Sequence, residues 1–288
     1  MHAHRFVFSL LLGILLVPTA FGQATRTVSR TVELADDGTA ALDTYKGTID
    51  VKTWTRDSAR VNVTIKGERE PVENTRIRIE SAIDRLDIET DYDELEENQK
   101  FLGLFSFGSV DRPSTTYTIT VPRSATVRID TYSATTTVAH LRGDVHFDAY
   151  SAPLTGRRIG GPLYADTYSG DIEVRRADSE VTVDTYSGDL RVDSLYGRVQ
   201  FSTFSGAADL GFAAVEDGSR FDTFSGDVTA SLPTNTGAVI ETEEDALNSD
   251  VPMQIEQISD DRVRATIGEG GPHVRFETFS GTMSVQTR

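Results

Sequence analysis

Carboxylates recur in this chain at a spacing that could gather a hard cation. Asp130, Asp148, Asp166 and Asp184 stand at intervals of 18 residues, and Asp222 takes the same place in a later copy after Ser202. Calcium asks for several oxygen ligands at short range, and calcium-binding β-rolls also use 18-residue turns of chain. Asp171, Asp189 and Asp227 follow a glycine in the same units and add to the supply. The Gly-Gly-x-Gly-x-Asp signature of those rolls is missing, however. The competing reading is structural: each Asp accepts hydrogen bonds from turn amides or pairs with Arg128, Arg175, Arg191 or Arg198. On that reading the chain needs no cofactor.

Two residues after each of these carboxylates, or after Ser202, comes an aromatic ring: Tyr132, Tyr150, Tyr168, Tyr186, Phe204 and Phe224. A row of flat rings could stack on the apolar faces of a sugar, or could simply pack as a ladder beside a turn. The exchange of Tyr for Phe in the later copies favours packing, since an exposed ring gains from a wettable end. Other chemistry is poorly supplied. His140, His146 and His273 follow no metal-ligand or Ser/His/Asp pattern, and the chain has no Cys. The glycine pairs at 160–161 and 270–271 read as turns, because no Gly-Lys-Ser/Thr follows. Paired acids could serve a glycosidase on residue types alone, but carboxylates are common throughout this sequence. The expectation is therefore a protein without an active site. A groove walled by loops, with Asp and Arg converging in it, would favour an enzyme; bare flat faces would favour a scaffold.

The elements that must position these residues follow from the repeat itself. Asp166-Thr167-Tyr168-Ser169-Gly170 and Asp184-Thr185-Tyr186-Ser187-Gly188 are its clearest copies, and the register runs from Asp130 to Ser202 before 20 residues separate Ser202 from Asp222. A diverged copy, Asp43-Thr44-Tyr45-Lys46-Gly47, comes early, and Glu277-Thr278-Phe279-Ser280-Gly281 comes last. Each unit reads as strand, Ser-Gly turn, strand and second turn, with β-branched residues alternating at period 2. By parity Val181, Val183 and Thr185 face the core, while Thr182, Asp184 and Tyr186 face outwards. Helix should be scarce. A fixed spacing suits a solenoid better than an antiparallel meander, because a unit that stacks on its neighbour must keep its perimeter. The fold class expected is all-β: a parallel β-solenoid with about 18 residues per coil.

His2, His4 and Arg5 precede a largely apolar stretch from Phe6 to Val17, broken by Pro18 and followed by Ala20-Phe21-Gly22. This reads as a signal peptide cleaved after Gly22, too short to be a spanning helix. The mature protein is thus expected to be exported, whether periplasmic, at the cell surface or secreted, with no transmembrane segment after cleavage. A net charge of −17 excludes nucleic acid as a partner. The division expected is 1–22 signal peptide, 23–120 an N-terminal β-strand region with a loop at 91–115, 121–232 regular repeats, and 233–288 a C-terminal β region with a capping repeat, all of 23–288 being one domain. The stretch 234–271 reads as irregular apart from one strand, Val263–Ile267. The apolar segment 101–107 reads as a loop tip that docks on the body.

The opening Tyr45-Lys46-Gly47-Thr48-Ile49-Asp50-Val51 with Trp54, the segment Thr116-Tyr117-Thr118-Ile119-Thr120-Val121-Pro122, the Ser-Gly-Asp units, Ser231-Leu232-Pro233 and the final Ser280-Gly281 resemble a bacterial adhesin-like family of unknown function with β-strand repeats. The resemblance runs over most of the chain. It implies a right-handed, β-helix-like fold at the envelope or cell surface, and it brings no catalytic residues. Function is accordingly expected to be that of a non-enzymatic scaffold or adhesin-like protein binding an envelope protein or glycan. The alternative is a carbohydrate-active or calcium-binding β-helix.

Overall fold

The computed structural model describes residues 15–18, 23–92 and 112–288. Among these the regular structure is strand, apart from a six-residue helix, Arg69–Asn74, and a 3-10 turn, Glu244–Ala246. The strands join one mixed sheet. Within the repeats they form two parallel stacks. In the first, Thr126–Val138 is followed by Val145–Ala149, Leu163–Thr167, Val181–Thr185, Val199–Thr203 and Ser219–Thr223. Partners there are 18 positions apart as far as Val199, as in Leu163 with Val181, and 20 apart in the step from Gln200 to Arg220. The second stack holds Leu154–Gly156, Ile172–Val174, Leu190–Leu195, Ala208–Phe212 and Val228–Leu232. A third line of contact is made by single parallel bridges joining Leu141, Ile159, Ala177 and Leu195. Thr39–Trp54 and Thr126–Val138 run through both stacks and tie them into one sheet.

Alternation explains why these segments are strands. Val181 and Val183 are buried while Asp184 is exposed, and the neighbouring repeats follow suit. Column for column, Val127, Val145, Leu163, Val181 and Val199 are buried, as are Ile129, Phe147, Ala165, Val183, Phe201, Phe221 and Phe276. Both sets belong to a single apolar core. Each fully buried phenylalanine is worth roughly 1.5–3 kcal/mol relative to exposure.

The rest of the repeat is turn chemistry. The hydroxyl oxygens of Thr185, Thr203 and Thr278 accept the backbone N–H of Gly188, Gly206 and Gly281, at 2.8, 2.8 and 2.7 Å. Thr167 and Thr223 instead donate to the carbonyls of Gly170 and Gly226. The glycine is required by its neighbour above rather than by its own φ. A Cβ at Gly188 would collide with the carbonyl oxygen of Gly170, and one at Gly206 with that of Gly188.

The ends of the stack carry antiparallel strands. Gln23–Glu33, Ser58–Glu68 and Ser114–Pro122 extend the second stack at its N-terminal end. Arg85–Asp91 lies parallel to Thr39–Asp43 beside the first stack, and Arg76–Ser81 adds to it antiparallel. Leu15–Pro18, within the segment read as a leader, pairs antiparallel with Gln23–Glu33. Ser114 already begins a strand, so the loop read at 91–115 ends earlier. The 101–107 segment lies outside the described residues.

At the C-terminal end the expectation needs correcting. The last repeat, His273–Thr278, is not the end of the stack: it pairs with Ser219–Thr223 on one side and with Ala238–Glu243 on the other. Arg262–Ile267 and Met253–Gln257 then continue outward, antiparallel. The stretch 234–271 is therefore mostly strand and forms the cap itself. Its outermost strand has a single strand partner and shows no buried face, although Met253 and Ile255 alternate with Gln254 and Glu256 in its sequence.

Candidate functional site

The expected columns are real rows on the outer face of the first stack. Register places Asp43, Asp130, Asp148, Asp166, Asp184, Ser202, Asp222 and Glu277 one above another. Strand spacing sets these positions about 4.8 Å apart. The row is paired with arginine at its C-terminal end, where Arg220 meets Asp222 at 2.6 Å and Glu277 at 2.9 Å. Arg262 and Arg275 also contact Glu277.

Over Asp43 to Asp184 no ion pair with arginine is made among the described residues. Of the four arginines expected there, Arg191 bridges Asp193 and Asp209 and Arg198 meets Glu180, while Arg128 and Arg175 form no ion pair with the described residues. The turn amides serve a different set of carboxylates. Asp171, Asp189 and Asp227 accept the backbone N–H of Asp189, Ala207 and Thr282, one repeat on, at 3.0, 2.8 and 2.8 Å. Burial, followed by the charges of neighbouring carboxylates, holds Asp43, Asp130 and Asp166 above the ordinary Asp value. Among the described residues no group of three or more His, Cys, Asp or Glu is arranged to hold a metal ion.

The aromatic column is longer than the six rings picked from the repeat. Tyr45 stacks on Tyr132 at one end and Phe279 on Phe224 at the other, giving eight rings in line. Ring centroids lie 4.7–5.1 Å apart and successive planes differ by 7° or less. Each inner ring is 43–48% exposed, yet both of its faces are covered by its neighbours. The column therefore offers ring edges and tyrosine hydroxyls, not faces. Stacking of a sugar on ring faces, one of the two readings of this column, is open only at its ends. At the first, the guanidinium of Arg112 already lies 4.3 Å from the Tyr45 centroid. At the second, Phe279 is 78% exposed.

Two grooves follow these rows. One is a long open trough between the carboxylates and the aromatic edges, running from Asp130 and Tyr132 to Asp222 and Phe224. The other, of about 710 Å³, lies on the far side of the carboxylate row and is walled by the Arg76–Ser81 and Arg85–Asp91 strands. Into it converge Asp43, Asp130 and Asp148 with Arg78, Arg128 and His146. Arg78 is held by Asp91 at 2.5 Å. His146 stacks on Tyr164 at 5.0 Å, and burial, then the charge of Arg128, lowers its pKa. The second groove was not legible in sequence, because its wall comes from strands more than 35 positions before Asp130. The one sequence signal was the exposed parity of His146 and Tyr164 within the repeat.

Among the described residues no helix is long and apolar enough to cross a membrane. No curated protein matches the chain. Solved structures match over nearly its whole length at low identity. A "putative adhesin" from Bacteroides fragilis is 11% identical, with 91% of this chain and 97% of that one covered and a TM-score of 0.48. A "putative lipid binding protein" from Parabacteroides distasonis is 12% identical, with 91% and 96% covered and a TM-score of 0.35. A "putative cell adhesion protein" from Clostridium sporogenes is 11% identical, with 92% and 100% covered and a TM-score of 0.25. The decisive match is to a family model that spans residues 40–286 and so takes in both strand stacks, the carboxylate row and the aromatic column: the chain belongs to the Toastrack DUF4097 family.

Proposed function

We propose that this chain is a non-enzymatic, exported β-solenoid of about 18 residues per coil that serves as an adhesin-like interaction scaffold at the cell envelope. The observation that carries the reading is the trough between the aromatic edges and the carboxylate row. It is exposed and continuous over six repeats, and among the described residues the carboxylates from Asp130 to Asp184 make no ion pair with arginine. A surface that leaves charges in line and uncompensated favours a ligand that supplies the opposite charge. The partner that fits is an extended envelope protein segment or glycan bearing cationic groups, laid along the axis so that its apolar parts meet the ring edges. Repeat proteins commonly use such extended faces for binding. The test is capture from envelope extracts and on a glycan array, comparing the native chain with an Asp148→Asn, Asp166→Asn, Tyr168→Ser variant. Equal capture by both would sink the reading.

One observation favours a second reading, a carbohydrate-active protein. The groove walled by Arg76–Asp91 gathers Asp43, Asp130 and Asp148 with Arg78 and Arg128, which is the convergence an acid-catalysed cleavage of sugars needs. A carboxyl whose pKa is raised, such as Asp130, suits a general acid. Release of reducing ends from envelope polysaccharides, lost in Asp130→Asn, would establish this reading in place of the first.

A further inference from the structure

In a chain of net charge −17, half of the arginines in the repeats meet a carboxylate, as Arg176, Arg191, Arg198 and Arg220 do. One corner departs from this. Where the bridged residues Leu141, Ile159 and Ala177 turn the chain, arginines recur: Arg142, then Arg157 and Arg158, then Arg175 and Arg176. Arg123 joins them, because its carbonyl accepts the backbone N–H of Arg142 at 2.7 Å. The side chains of Arg123, Arg142, Arg157 and Arg175 are exposed and make no hydrogen bond or ion pair with the described residues.

Three of these arginines close on a recess of about 220 Å³, lined by Arg123, His140, Arg142 and Arg158 with Gly160 and Asp178. Asp178 is the single carboxylate there, and it is already engaged, at 2.5 Å by Arg176 and at 3.5 Å by Arg158. Three guanidinium groups thus face one shared carboxylate. Two local features hold the recess open. His140 sits at φ 60°, in the left-handed region that few residues other than glycine adopt, with its carbonyl held by the Thr53 hydroxyl at 3.2 Å. Gly160 leaves the floor clear: a Cβ there would come within 3.2 Å of the Arg142 Cα and 3.5 Å of its Cγ.

Like charges gathered without partners are unfavourable unless an anion completes them, and guanidinium groups match phosphate and sulfate oxygens two at a time. We infer that this corner is a binding site for a phosphate or sulfate monoester, with Arg123 and Arg142 as its principal ligands and Arg158 supporting them. The site is separate from the carboxylate and aromatic face, so its ligand is of the opposite charge to the one proposed there.

The probe is inorganic phosphate, titrated calorimetrically into the full chain at low ionic strength, with two further arms. Glycerol 3-phosphate represents a soluble or glycan-borne ester. Phosphatidylcholine vesicles with and without phosphatidic acid represent a lipid headgroup. Saturable one-site binding is expected, weakened at least fivefold by Arg123→Ala and by Arg142→Ala and unchanged by Arg69→Ala, a solvent-facing arginine on the helix. Because both ligand arginines are exposed, these variants should melt with the native protein. Gly160→Val should weaken binding by filling the floor while both charges remain. Retention by phosphatidic acid vesicles alone among the two arms assigns the ester to a headgroup, and binding of glycerol 3-phosphate alone assigns it to a soluble ester. No saturable binding, or equal affinity in Arg69→Ala and Arg142→Ala, would overturn the inference.

Discussion

The carboxylate row makes a prediction that runs against the usual effect of mutation: replacing Asp166 by Asn should stabilise the protein. Asp166 lies between Asp148 and Asp184 in the two adjoining strands, with no arginine in contact. At a strand spacing of about 4.8 Å, two unit charges in water repel by about 0.9 kcal/mol. Physiological salt, with a Debye length of about 8 Å, cuts this roughly in half. Two neighbours then give about 1 kcal/mol, which for a chain of this size is a rise in Tm of about 2–4 °C. Asn keeps the shape and the accepting oxygen, so little else changes. The assay is calorimetric or fluorimetric melting at neutral pH, at low salt and at 1 M NaCl. The gain should be larger at low salt and nearly vanish at 1 M, where the Debye length is about 3 Å. A lower Tm for Asp166→Asn, or a gain indifferent to salt, would refute the reasoning. A rise in the native Tm with calcium that the variant lacks would do so too, by making the row a cation site.

Three further outcomes follow. Gly188→Ala should cost on the order of 1–3 kcal/mol in denaturant unfolding, because its Cβ meets the Gly170 carbonyl and the stacked strands cannot separate to admit it. Stability should climb as the pH falls through the raised folded values of Asp43, Asp130 and Asp166, and drop as it falls through the lowered folded values of Glu180, Glu241 and Glu277. The raised values of Asp43, Asp130 and Asp166 impose a penalty that is fully present above their folded values and is gone below 3.8. Glu180, Glu241 and Glu277 are lowered, chiefly by hydrogen bonds from Arg198, Arg264 and Arg275. Their contribution is complete above 4.5 and lost as the pH falls through their folded values. A Tm profile by scanning calorimetry checks this. Finally, intact mass of the exported protein should begin at Gln23. Cleavage there removes the Leu15–Pro18 strand, and the remaining chain should melt within a few degrees of the full one.

How much was legible in sequence depends on whether a residue's neighbours are set by the repeat. The columns of Val181 and Val183, of Asp184 and of Tyr186 follow from an 18-residue register plus period-2 alternation, so parallel neighbours could be named in advance. Their chemistry was harder to read. The ring faces of the aromatic column are mutually covered, a consequence of spacing at about 5 Å that residue types do not express. Two of the four arginines expected to neutralise the Asp130 row, Arg191 and Arg198, turn instead to Asp193, Asp209 and Glu180. The arginine corner did leave a signal, the doublets Arg157-Arg158 and Arg175-Arg176 at an interval of 18. Assigning Arg175 as a partner for aspartate hid it. The 234–271 segment escaped because its strands are short and stand outside the repeat register: Ala238–Glu243 begins with three buried residues in succession, and Met253–Gln257 alternates over too few residues to stand out.

The claim at the centre of this account is that the trough between carboxylates and ring edges binds a partner and transforms nothing. The most direct measurement is to present envelope polysaccharides and envelope proteins to the immobilised chain, recording retained material and released reducing ends together. The account predicts retention without release, with retention lost in the Asp148→Asn, Asp166→Asn, Tyr168→Ser variant. Release of product, or retention that the variant keeps in full, would contradict it.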